Sequence, residues 1–447
     1  MANLAQLRTT TREIFDAALR GADASDAVTR AIILDGSRLK IRTLEFNSNG
    51  RSIYYVAIGK AAISMATALE ALLGNRITEG LIAGGDSKIS NRLHTRSLLR
   101  RRWYQGGHPL PNKRSLLAGA YALELLGRAD HERALVIFLV SGGGSAMLEW
   151  PVSDDISLAN LRTANRILVS CGASISEINS VRRAFSAVKG GKLAARAPNC
   201  EQVTLIVSDV PDGQERSVAS GPTVAVPEDG IDPRDVIDRY RLKERLPPTI
   251  MRAIEAAAAS PIQSVHISEP LVLLDNGSAL RAAVRAIEEL GFVGEITDDV
   301  TDQPIEEGCE LLLDRLSALR ASHRGSNKTV CLVSGGEFSC SVRGDGIGGR
   351  NLETALRLAL AADRHRKRFG DFVALCAGTD GIDGNSPAAG AIIDSTTILR
   401  AKAIGLDPED FLLRSDSYSF FHALGDDITT GPTGTNVRDV RLLLVES

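Results

Sequence analysis

Segments with the apolar pattern of a buried strand alternate along this chain with segments of helical periodicity, and the alternation occurs twice. The first series begins at SIYYVAIG (52–59) and reaches RALVIFLVSGGG (133–144). The second runs from PLVLLDN (270–276) to DFVALCAGTDG (371–381). Such alternation of strands and helices is typical of βαβ units, in which helices cover a parallel sheet. The sequence therefore predicts an α/β fold whose sheets are mostly parallel or mixed and flanked by helices.

Two alternating series also predict two domains, because 447 residues exceed what a single core usually supports. Between the series, residues 222–270 are richer in proline and charge, as in PEDGIDPRD and RLKERLPPT. We place the boundary in this stretch, with an N-terminal domain over 1–235 and a C-terminal domain over 236–447. In α/β proteins ligands bind at the carboxyl ends of the strands, so we expect the active site in a cleft between the domains.

Composition excludes several classes of function. A formal net charge of -3 gives no basic footprint for nucleic acid, and we expect the short basic run at 100–102 to be a solvated face. No apolar run reaches membrane-spanning length, so no membrane partner is expected. Six cysteines without a CxxC pair favour reduced thiols and a cytoplasmic location. The oligomeric state stays open, with a homodimer as one option.

A strand followed by serine and glycines occurs in both halves, as LVSGGGSA (139–146) and LVSGGE (332–337). Glycines after a strand let the backbone turn tightly and approach a ligand closely. Each stretch alone is also what an ordinary tight turn looks like, but the recurrence favours a binding role. The candidate ligand-binding residues from these stretches are Ser141, Gly142, Gly143, Gly144, Ser145, Gly335, Gly336 and Glu337.

Lys60 follows Gly59 where a predicted strand ends and a helix begins. Unpaired backbone N–H groups and the helix dipole favour an anion there, so a lysine at this position suits a phosphate. The alternative is a surface lysine with an extended stem. Neither this GK pair nor KGGKLA, with Lys189 and Lys192, has the glycine spacing of a Walker A loop.

GDGIGG (344–349) satisfies the spacing G-x-G-x-x-G ahead of a helical segment. A dinucleotide site would also need an acid about twenty residues further on, at the end of the next strand. Asp363 and Asp371 straddle that distance but lie in a hydrophilic stretch. We therefore expect a glycine-rich loop over phosphates, with Arg350 at its end.

Acidic residues after strand ends are candidate partners of Mg²⁺, which takes one or two carboxylates together with phosphate oxygens. Asp209, Glu337 and Asp380 stand at such positions. Each could instead cap a helix or form a turn. None of the seven histidines has metal-ligand spacing, so we do not expect zinc.

Eight motifs in series resemble the glycerate 2-kinase family, whose C-terminal half is called the MOFRL domain. They are VSGGGSA, SAVKGGKLA, LIVSDV, VSGGE, GGRN, AGTDGIDG, AAGAI and TGPTGTNVRD. The resemblance implies two α/β domains, the first Rossmann-like, and transfer of the γ-phosphoryl group of ATP to the 2-hydroxyl of D-glycerate with Mg²⁺. Members were also long labelled hydroxypyruvate reductases, so a nicotinamide-dependent reductase with His108 as acid is the alternative. A non-enzymatic ligand sensor is a third hypothesis.

The resemblance implies that Lys60 and Arg350 act on phosphate or substrate, and together with Asp209 they are the catalytic candidates. Asp209 and Asp380, chosen for their positions after strand ends, are the candidate metal ligands. Phe338 stands where the family commonly has a hydroxyl residue. Beyond Gly59 and the two glycine stretches, the candidates for nucleotide or substrate binding are Lys189, Lys192, Gly348, Gly349, Asn351, Thr433 and Asn436.

Overall fold

The computed structural model describes residues 4–85, 101–224, 230–259, 269–365 and 369–446. The strands of this described chain are β1 (Ile32–Asp35), β2 (Arg38–Ile41), β3 (Leu44–Asn47), β4 (Ile53–Ile58), β5 (Ile77–Gly84), β6 (Arg101–Gln105), β7 (Leu135–Ser141), β8 (Glu201–Val207), β9 (Leu271–Leu274), β10 (Val293–Thr297), β11 (Thr329–Ser334), β12 (Phe372–Gly378), β13 (Gly390–Asp394), β14 (Asp427–Ile428) and β15 (Asp439–Glu446).

The helices of the same residues are α1 (Leu4–Gly21), α2 (Ala24–Ala31), α3 (Ala62–Leu73), α4 (Lys113–His131), α5 (Gly144–Met147), α6 (Leu158–Ser170), α7 (Ile175–Phe185), α8 (Pro233–Arg239), α9 (Pro248–Ala259), α10 (Asn276–Glu289), α11 (Ile305–Ser322), α12 (Arg350–Arg364), α13 (Thr397–Ala403), α14 (Pro408–Leu413) and α15 (Ser417–Leu424). The predicted alternation of strands and helices along the chain is confirmed in both halves. The antiparallel meander β1–β2–β3 was not predicted.

The chain divides into two compact units that differ from the predicted domains. A central unit comprises Ala24–Leu273, and a terminal unit combines Met1–Asp23 with Leu274–Ser447. The predicted boundary at residue 235 therefore moves to residue 273. The reason is packing: Ile237 and Ile254, from α8 and α9, share a buried cluster with Phe185 at the end of α7. β9, predicted to open the second domain, is the last strand of the central sheet.

Helix α1 belongs to the terminal unit because both its apolar and its charged contacts lie there. A β-carbon on Gly21 would overlap the β-carbon of Ala282 in α10, so only glycine lets the two helices approach this closely. Arg8 donates to Asp394 over 2.7 Å and to Asp426 over 2.5 Å. The N-terminal helix thus fastens onto elements that follow it by several hundred residues.

The central unit is built on a six-stranded sheet with the order β6-β5-β4-β7-β8-β9. β4 pairs in parallel with β5 on one side and with β7 on the other. The chain thus builds outward from β4 in one direction and returns to build from it in the other. That reversal is the topological switch point at which open α/β sheets bind ligands, and it confirms the Rossmann-like prediction for this unit.

One predicted surface feature is corrected in part at the edge of this sheet: Arg102 is exposed, as expected, but the Arg101 side chain is not. Arg101 and Arg102, expected to form a solvated basic face with Arg100, lie in the edge strand β6; Arg100 is outside the described residues. The Arg101 side chain is only 6% exposed and forms an ion pair with Glu70. Arg102 lies over the ring of Tyr121 at 4.6 Å.

Across the described ranges, no helix combines the length and apolar character that a membrane crossing requires.

The terminal unit contains a mixed sheet with the order β10-β11-β15-β12-β13-β14. β15 runs antiparallel to both of its neighbours, β11 and β12. Its first residue, Asp439, therefore pairs with Gly378 at the carboxyl end of β12, and Arg441 pairs with Ser334 at the carboxyl end of β11. The start of the last strand is thereby placed at the edge where ligands bind in such sheets.

Candidate active site

At the switch point of the central unit, Ser141 fastens the end of β7 to the turn after β4. Its buried hydroxyl donates to the carbonyl of Ile58 over 3.1 Å and accepts from the N–H of Ala61 over 3.0 Å. The N–H of Lys60 donates to the carbonyl of Gly142 over 2.8 Å. Gly59 has φ +110° and leaves no space for a β-carbon beside Ser141, so glycine is required there. Two strand ends and their loops form one rigid junction.

Four of the predicted site residues, and His108 from the alternative hypothesis, meet at this junction. A β-carbon on Gly142 would overlap the carboxylate of Asp209, which follows β8. A β-carbon on Gly143 would lie 3.3 Å from Cγ of Lys60 and 3.6 Å from Nδ1 of His108. The glycines thus let a lysine, a carboxylate and an imidazole approach one loop. Such a set can bind a phosphate and, with its carboxylate, a divalent metal.

Ser145 lies in the first turn after this loop and joins a chain of polar side chains. Its hydroxyl is 2.6 Å from the hydroxyl of Ser220, which donates to Oδ1 of Asn179 over 2.8 Å. Ala219 and Ser220 both have positive φ, at 53° and 63°, although neither is glycine. Gly144 packs against Ala219, since a β-carbon placed on Gly144 would lie only 2.7 Å from the β-carbon of Ala219. The segment with Ala219 and Ser220 therefore packs against the glycine loop and the helix turn that follows it.

Two predicted ligand-binding lysines have a different role in the structure. Lys189 is buried and forms an ion pair with Glu149, which also accepts from Ser186 over 2.6 Å. Lys192 donates to the carbonyls of Arg183 and Ser186, both over 2.7 Å. Burial lowers the pKa of Lys192 to about 8. Both ammonium groups are engaged by the protein itself, so the geometry gives them a structural role and does not support the predicted one.

In the terminal unit the second glycine stretch is also bound to its neighbours. The hydroxyl of Ser334 donates to the carbonyl of Val300 over 2.7 Å and accepts from Arg441 over 3.2 Å. Gly335 and Gly336 pack against Asn276 and Thr301 with no space for a β-carbon, and Gly336 has φ +80°. Phe338, just beyond, is buried and lies under the guanidinium of Arg441 at 3.6 Å.

Arg350 begins helix α12 and is paired with two carboxylates. Its Nε and Nη2 donate to the two oxygens of Asp439 over 2.6 and 3.0 Å, and Nη2 lies 2.8 Å from Oε1 of Glu337. Burial disfavours its charge, but the attraction of Asp439 and then of Glu337 outweighs this and raises the pKa of Arg350 above its ordinary value. The predicted catalytic arginine is therefore a guanidinium held in a defined orientation by an ion-pair cluster.

Helix α12 is capped by a residue that lies far along the chain. Asp383 accepts from the backbone N–H groups of Asn351 and Leu352 over 3.1 and 2.8 Å. Its carboxylate packs directly against Gly349, which has no side chain to cap the helix itself. Burial raises the pKa of Asp383 to about 7, despite these hydrogen bonds. Asn351, a predicted ligand contact, is buried, and its side-chain amide donates to Asp383 over 3.3 Å.

The GDGIGG loop does not present its amides as a phosphate loop would. The N–H groups of Gly346, Ile347 and Gly348 donate to Arg414, Asp416 and Asn385, respectively, over 3.1, 3.0 and 2.8 Å. Its glycines allow close packing, since β-carbons on Gly346 and Gly348 would lie 2.5 Å from Asp416 and Ser417. These three amides are therefore engaged within the protein, and the placement of the loop over phosphates stays a prediction.

This loop instead forms one wall of a cavity of about 440 Å³ within the terminal unit. Arg350, Asp383 and Glu353 supply its charged groups, and Phe338 and Val342 supply apolar surface. The remaining lining groups are mostly hydroxyl, amide and backbone groups from Cys340, Ser341, Gly346, Gly348, Gly349, Gly384, Asn385, Ser415 and Ser417. The predicted arginine thus borders a cavity large enough for a small ligand.

The C-terminal motif TGPTGTNVRD (430–439) packs onto the loop that follows β12. Thr433 donates through its hydroxyl to the carbonyl of Thr379 over 2.6 Å and through its N–H to the carbonyl of Asp380 over 3.2 Å. Asn436 is buried, and its Oδ1 accepts from the N–H of Arg438 over 3.4 Å. Asp380 is half-buried and accepts from the N–H of Ile382 over 3.1 Å. This motif, Asp380 and the ion-pair cluster around Arg350 therefore belong to one region of the terminal unit.

Neither metal candidate lies in a preformed cage. Among the described residues, no group of three or more His, Cys, Asp or Glu side chains is placed to hold a metal ion. Asp209 is in the central unit and Asp380 in the terminal unit. A site with one protein carboxylate still fits Mg²⁺ bound mainly by phosphates and water, and does not fit zinc.

Sequence reasoning missed two residues of the site, both acidic. Asp383 and Asp439 each lie in a quoted motif, AGTDGIDG and TGPTGTNVRD, but neither was given a role. Asp439 is completely buried, although aspartate is almost never so unless it is paired. Only the antiparallel placement of β15 reveals the partner, since Arg350 and Asp439 are 89 positions apart.

The sheet of the central unit has a strand order with a switch point, and polar side chains lie there. This arrangement is typical of α/β enzymes that bind an anionic ligand at the carboxyl edge of a parallel sheet. Comparison with family models matches residues 10–255 to a domain of unknown function, DUF4147, and residues 330–439 to the MOFRL family. The chain belongs to the glycerate 2-kinase family.

Relatives and a solved structure agree with this assignment. A glycerate 2-kinase of Pyrococcus horikoshii is 32% identical, with 96% of this chain and 95% of the relative covered. A D-glycerate 2-kinase of Thermotoga maritima is 33% identical, with 88% and 90% covered. The crystal structure of a Thermotoga maritima glycerate kinase superposes with a TM-score of 0.80 at 30% identity, over 98% of this chain and 99% of the other.

Proposed function

We propose that this chain is a D-glycerate 2-kinase that transfers the γ-phosphoryl group of ATP to the 2-hydroxyl of D-glycerate. The observation that carries the proposal is the meeting of Lys60, Gly142, Gly143 and Asp209 at the switch point of the central sheet. Membership of the glycerate 2-kinase family supplies the substrate class.

Phosphoryl transfer asks for positioning and for compensation of negative charge, with little covalent participation by the protein. Lys60 stands where the phosphates of a nucleotide would be bound, next to a glycine loop that allows close approach of the backbone. Arg350, fixed by Asp439, supplies the second cation and can engage a carboxylate or phosphoryl group through two N–H donors. These residues orient the reactants and stabilise the charge that develops.

Magnesium completes this proposal. Asp209 is the central unit's candidate protein ligand, because its carboxylate touches the glycine loop, and Asp380 is the candidate in the terminal unit. When bound, the ion neutralises charge on the phosphate oxygens. We place the enzyme in the cytoplasm, consistent with six cysteines that are all unpaired thiols.

The test is ADP release measured with a coupled assay across a panel of small hydroxy acids, with and without Mg²⁺. D-Glycerate should be the preferred acceptor, and L-glycerate is the matched control. The ³¹P spectrum of the product separates the two possible esters, because a 2-phosphate couples to one proton and a 3-phosphate to two. A 3-phosphate product would refute the proposed position of transfer.

Two relatives from Agrobacterium vitis carry the provisional name hydroxypyruvate reductase, so the same preparation is also assayed for that reaction. Oxidation of reduced nicotinamide cofactor by hydroxypyruvate, without ADP release from ATP and D-glycerate, would replace the kinase by the reductase. A ligand-dependent rise in melting temperature without turnover in either assay would indicate a sensor.

A further inference from the structure

The two carboxylates on Arg350 differ in how firmly each is held. Asp439 is completely buried at the first position of β15. Its backbone is fixed on both sides, since its N–H donates to Gly336 over 3.3 Å and its carbonyl accepts from Asn276 over 3.0 Å. Its carboxylate spans Nε and Nη2 of Arg350, which determines the plane and direction of the guanidinium.

Glu337 is held far less firmly. Its side chain is 32% exposed and reaches Nη2 of Arg350 from the loop after β11. Asp439 binds Nε and Nη2, and Oε1 of Glu337 lies 2.8 Å from the same Nη2, so Glu337 stands where a second oxyanion can reach the guanidinium beside Asp439. A partly exposed ion pair contributes little to stability, so exchanging Glu337 for a ligand anion costs little. Removing Asp439 would instead take away the carboxylate that binds two nitrogens of Arg350 and fixes the plane of its guanidinium.

We propose that Asp439 is the positioning residue of Arg350, and that Glu337 occupies the place which an incoming phosphate or carboxylate oxygen takes when it binds. The inference rests on the proposed function only for the nature of the anion. In the ligand-bound protein, Asp439 keeps its bidentate contact and Glu337 gives up its contact. Arg350 thus stays paired and correctly oriented while no anion is present.

Inorganic phosphate is the probe, and its dissociation constant is measured by isothermal titration calorimetry on the full chain. Arg350→Ala defines the share of the affinity that depends on Arg350, which we expect to be at least about 10-fold. Glu337→Gln should bind phosphate about threefold more tightly than wild type, because the competing carboxylate is lost. The matched control is Glu306→Gln, which removes the same charge from a half-exposed glutamate paired with Arg343 and Arg357.

Asp439→Asn tests positioning. With its orientation lost, Arg350 should contribute less than about threefold to phosphate affinity in this background, measured by adding Arg350→Ala. Asp394→Asn is the control, since Asp394 is another buried carboxylate of the same unit, paired with Arg8. It should lower the melting temperature and leave the contribution of Arg350 unchanged. If Asp439→Asn does not fold, hydrogen exchange of the Arg350 Nε–H in wild type replaces it, and protection must persist at saturating phosphate.

The inference is overturned if Glu337→Gln binds phosphate no more tightly than Glu306→Gln does. It is also overturned if Arg350 keeps its full contribution to phosphate affinity in the Asp439→Asn background. The same holds if the Nε–H of Arg350 in wild type loses its protection from exchange when phosphate binds. Kinase assays of the wild type are read separately. Absence of D-glycerate phosphorylation with the expected phosphate affinities would reject the proposed function and leave this inference intact.

Discussion

The two Ser-Gly-Gly junctions, residues 141–144 and 334–337, share a sequence signature and differ in what surrounds them. In both, the serine hydroxyl reaches the carbonyl of a residue outside its own strand and the glycines exclude any β-carbon. In both, the second glycine, Gly143 or Gly336, is left-handed, with φ of 78° and 80°. After the first junction the third glycine, Gly144, begins the short helix α5. After the second, Glu337 takes that place, and no helix begins there.

The charges near the two junctions differ as well. Lys60 lies against Gly143, and the carboxylate of Asp209 lies against Gly142. In the terminal unit, Arg350 is held by one buried and one partly exposed carboxylate. The shared signature therefore specifies a rigid turn at a strand end, and the chemistry depends on the third residue and on distant parts of the chain.

The largest expected effect concerns the cation of the second junction. Arg350→Lys should lower turnover of D-glycerate by about 10³-fold, because an ammonium cannot reproduce bidentate binding. Steady-state kinetics measure the loss. Lysine still offers a charge to Asp439, so the melting temperature should fall by only a few degrees, as calorimetry can show.

Arg350→Ala is the companion variant and sets the stability scale. It removes the partner of a buried carboxylate, so it should also lose stability, by about 1 to 3 kcal/mol after allowance for the partial exposure of Arg350. Substantial turnover by Arg350→Lys would show that the arginine only holds the fold together.

The second prediction separates two lysines of the central unit. Lys189→Met should lower the free energy of unfolding by about 3 to 5 kcal/mol, because it leaves Glu149 buried without its cation. Lys60→Met should lose turnover with little change in stability, since Lys60 is only partly buried. Urea unfolding and kinetics on both variants test the contrast. Equal stability losses for the two would contradict it.

The third prediction concerns the acid that caps α12. The pKa of Asp383 is raised to about 7 when folded, so the folded state binds its proton more tightly than the unfolded state does. Stability contributed by this group is complete below about pH 4 and is lost as pH rises to about 7, by about 2 to 4 kcal/mol. Urea unfolding at several pH values should show this slope.

Asp383→Asn provides the control for that titration. Its amide oxygen can still accept from a backbone N–H, but the group no longer ionises. Subtracting the variant's stability curve from that of wild type should isolate the loss between pH 4 and 7. A flat difference curve would show that folding does not shift the pKa of Asp383, and a curve that rises with pH would show that folding lowers it. Either result would contradict the prediction.

The smallest expected effect compares the two serines directly. Ser141→Ala and Ser334→Ala should each lower the free energy of unfolding by about 1 to 2 kcal/mol, because each leaves buried groups without a hydrogen-bond partner. Ser334→Ala should lose more, since Nε and Nη2 of the buried Arg441 already have no hydrogen-bond partner among the described residues. Larger loss from Ser141→Ala would reverse the comparison.

The candidate site could be predicted in part, and what distinguishes the successes is distance along the chain. Lys60 and the glycines that follow β7 were identifiable because strand ends and glycines are local signals. Lys189 and Lys192 looked like ligands because sequence does not show burial or partners. The partners of the GDGIGG amides could not be predicted for the same reason, since they lie some 37 to 69 positions away.

The sequence by itself determined the class of fold, the two series of strands and helices, the glycine turns and the cations beside them. These depend on periodicity and on backbone freedom, which neighbouring residues specify. Only the tertiary structure decided that α1 joins the terminal unit, that β9 completes the central sheet and that Asp439 holds Arg350. Those outcomes follow from β15 inserting antiparallel between β11 and β12 and from the packing of residues hundreds of positions apart, which no local pattern encodes.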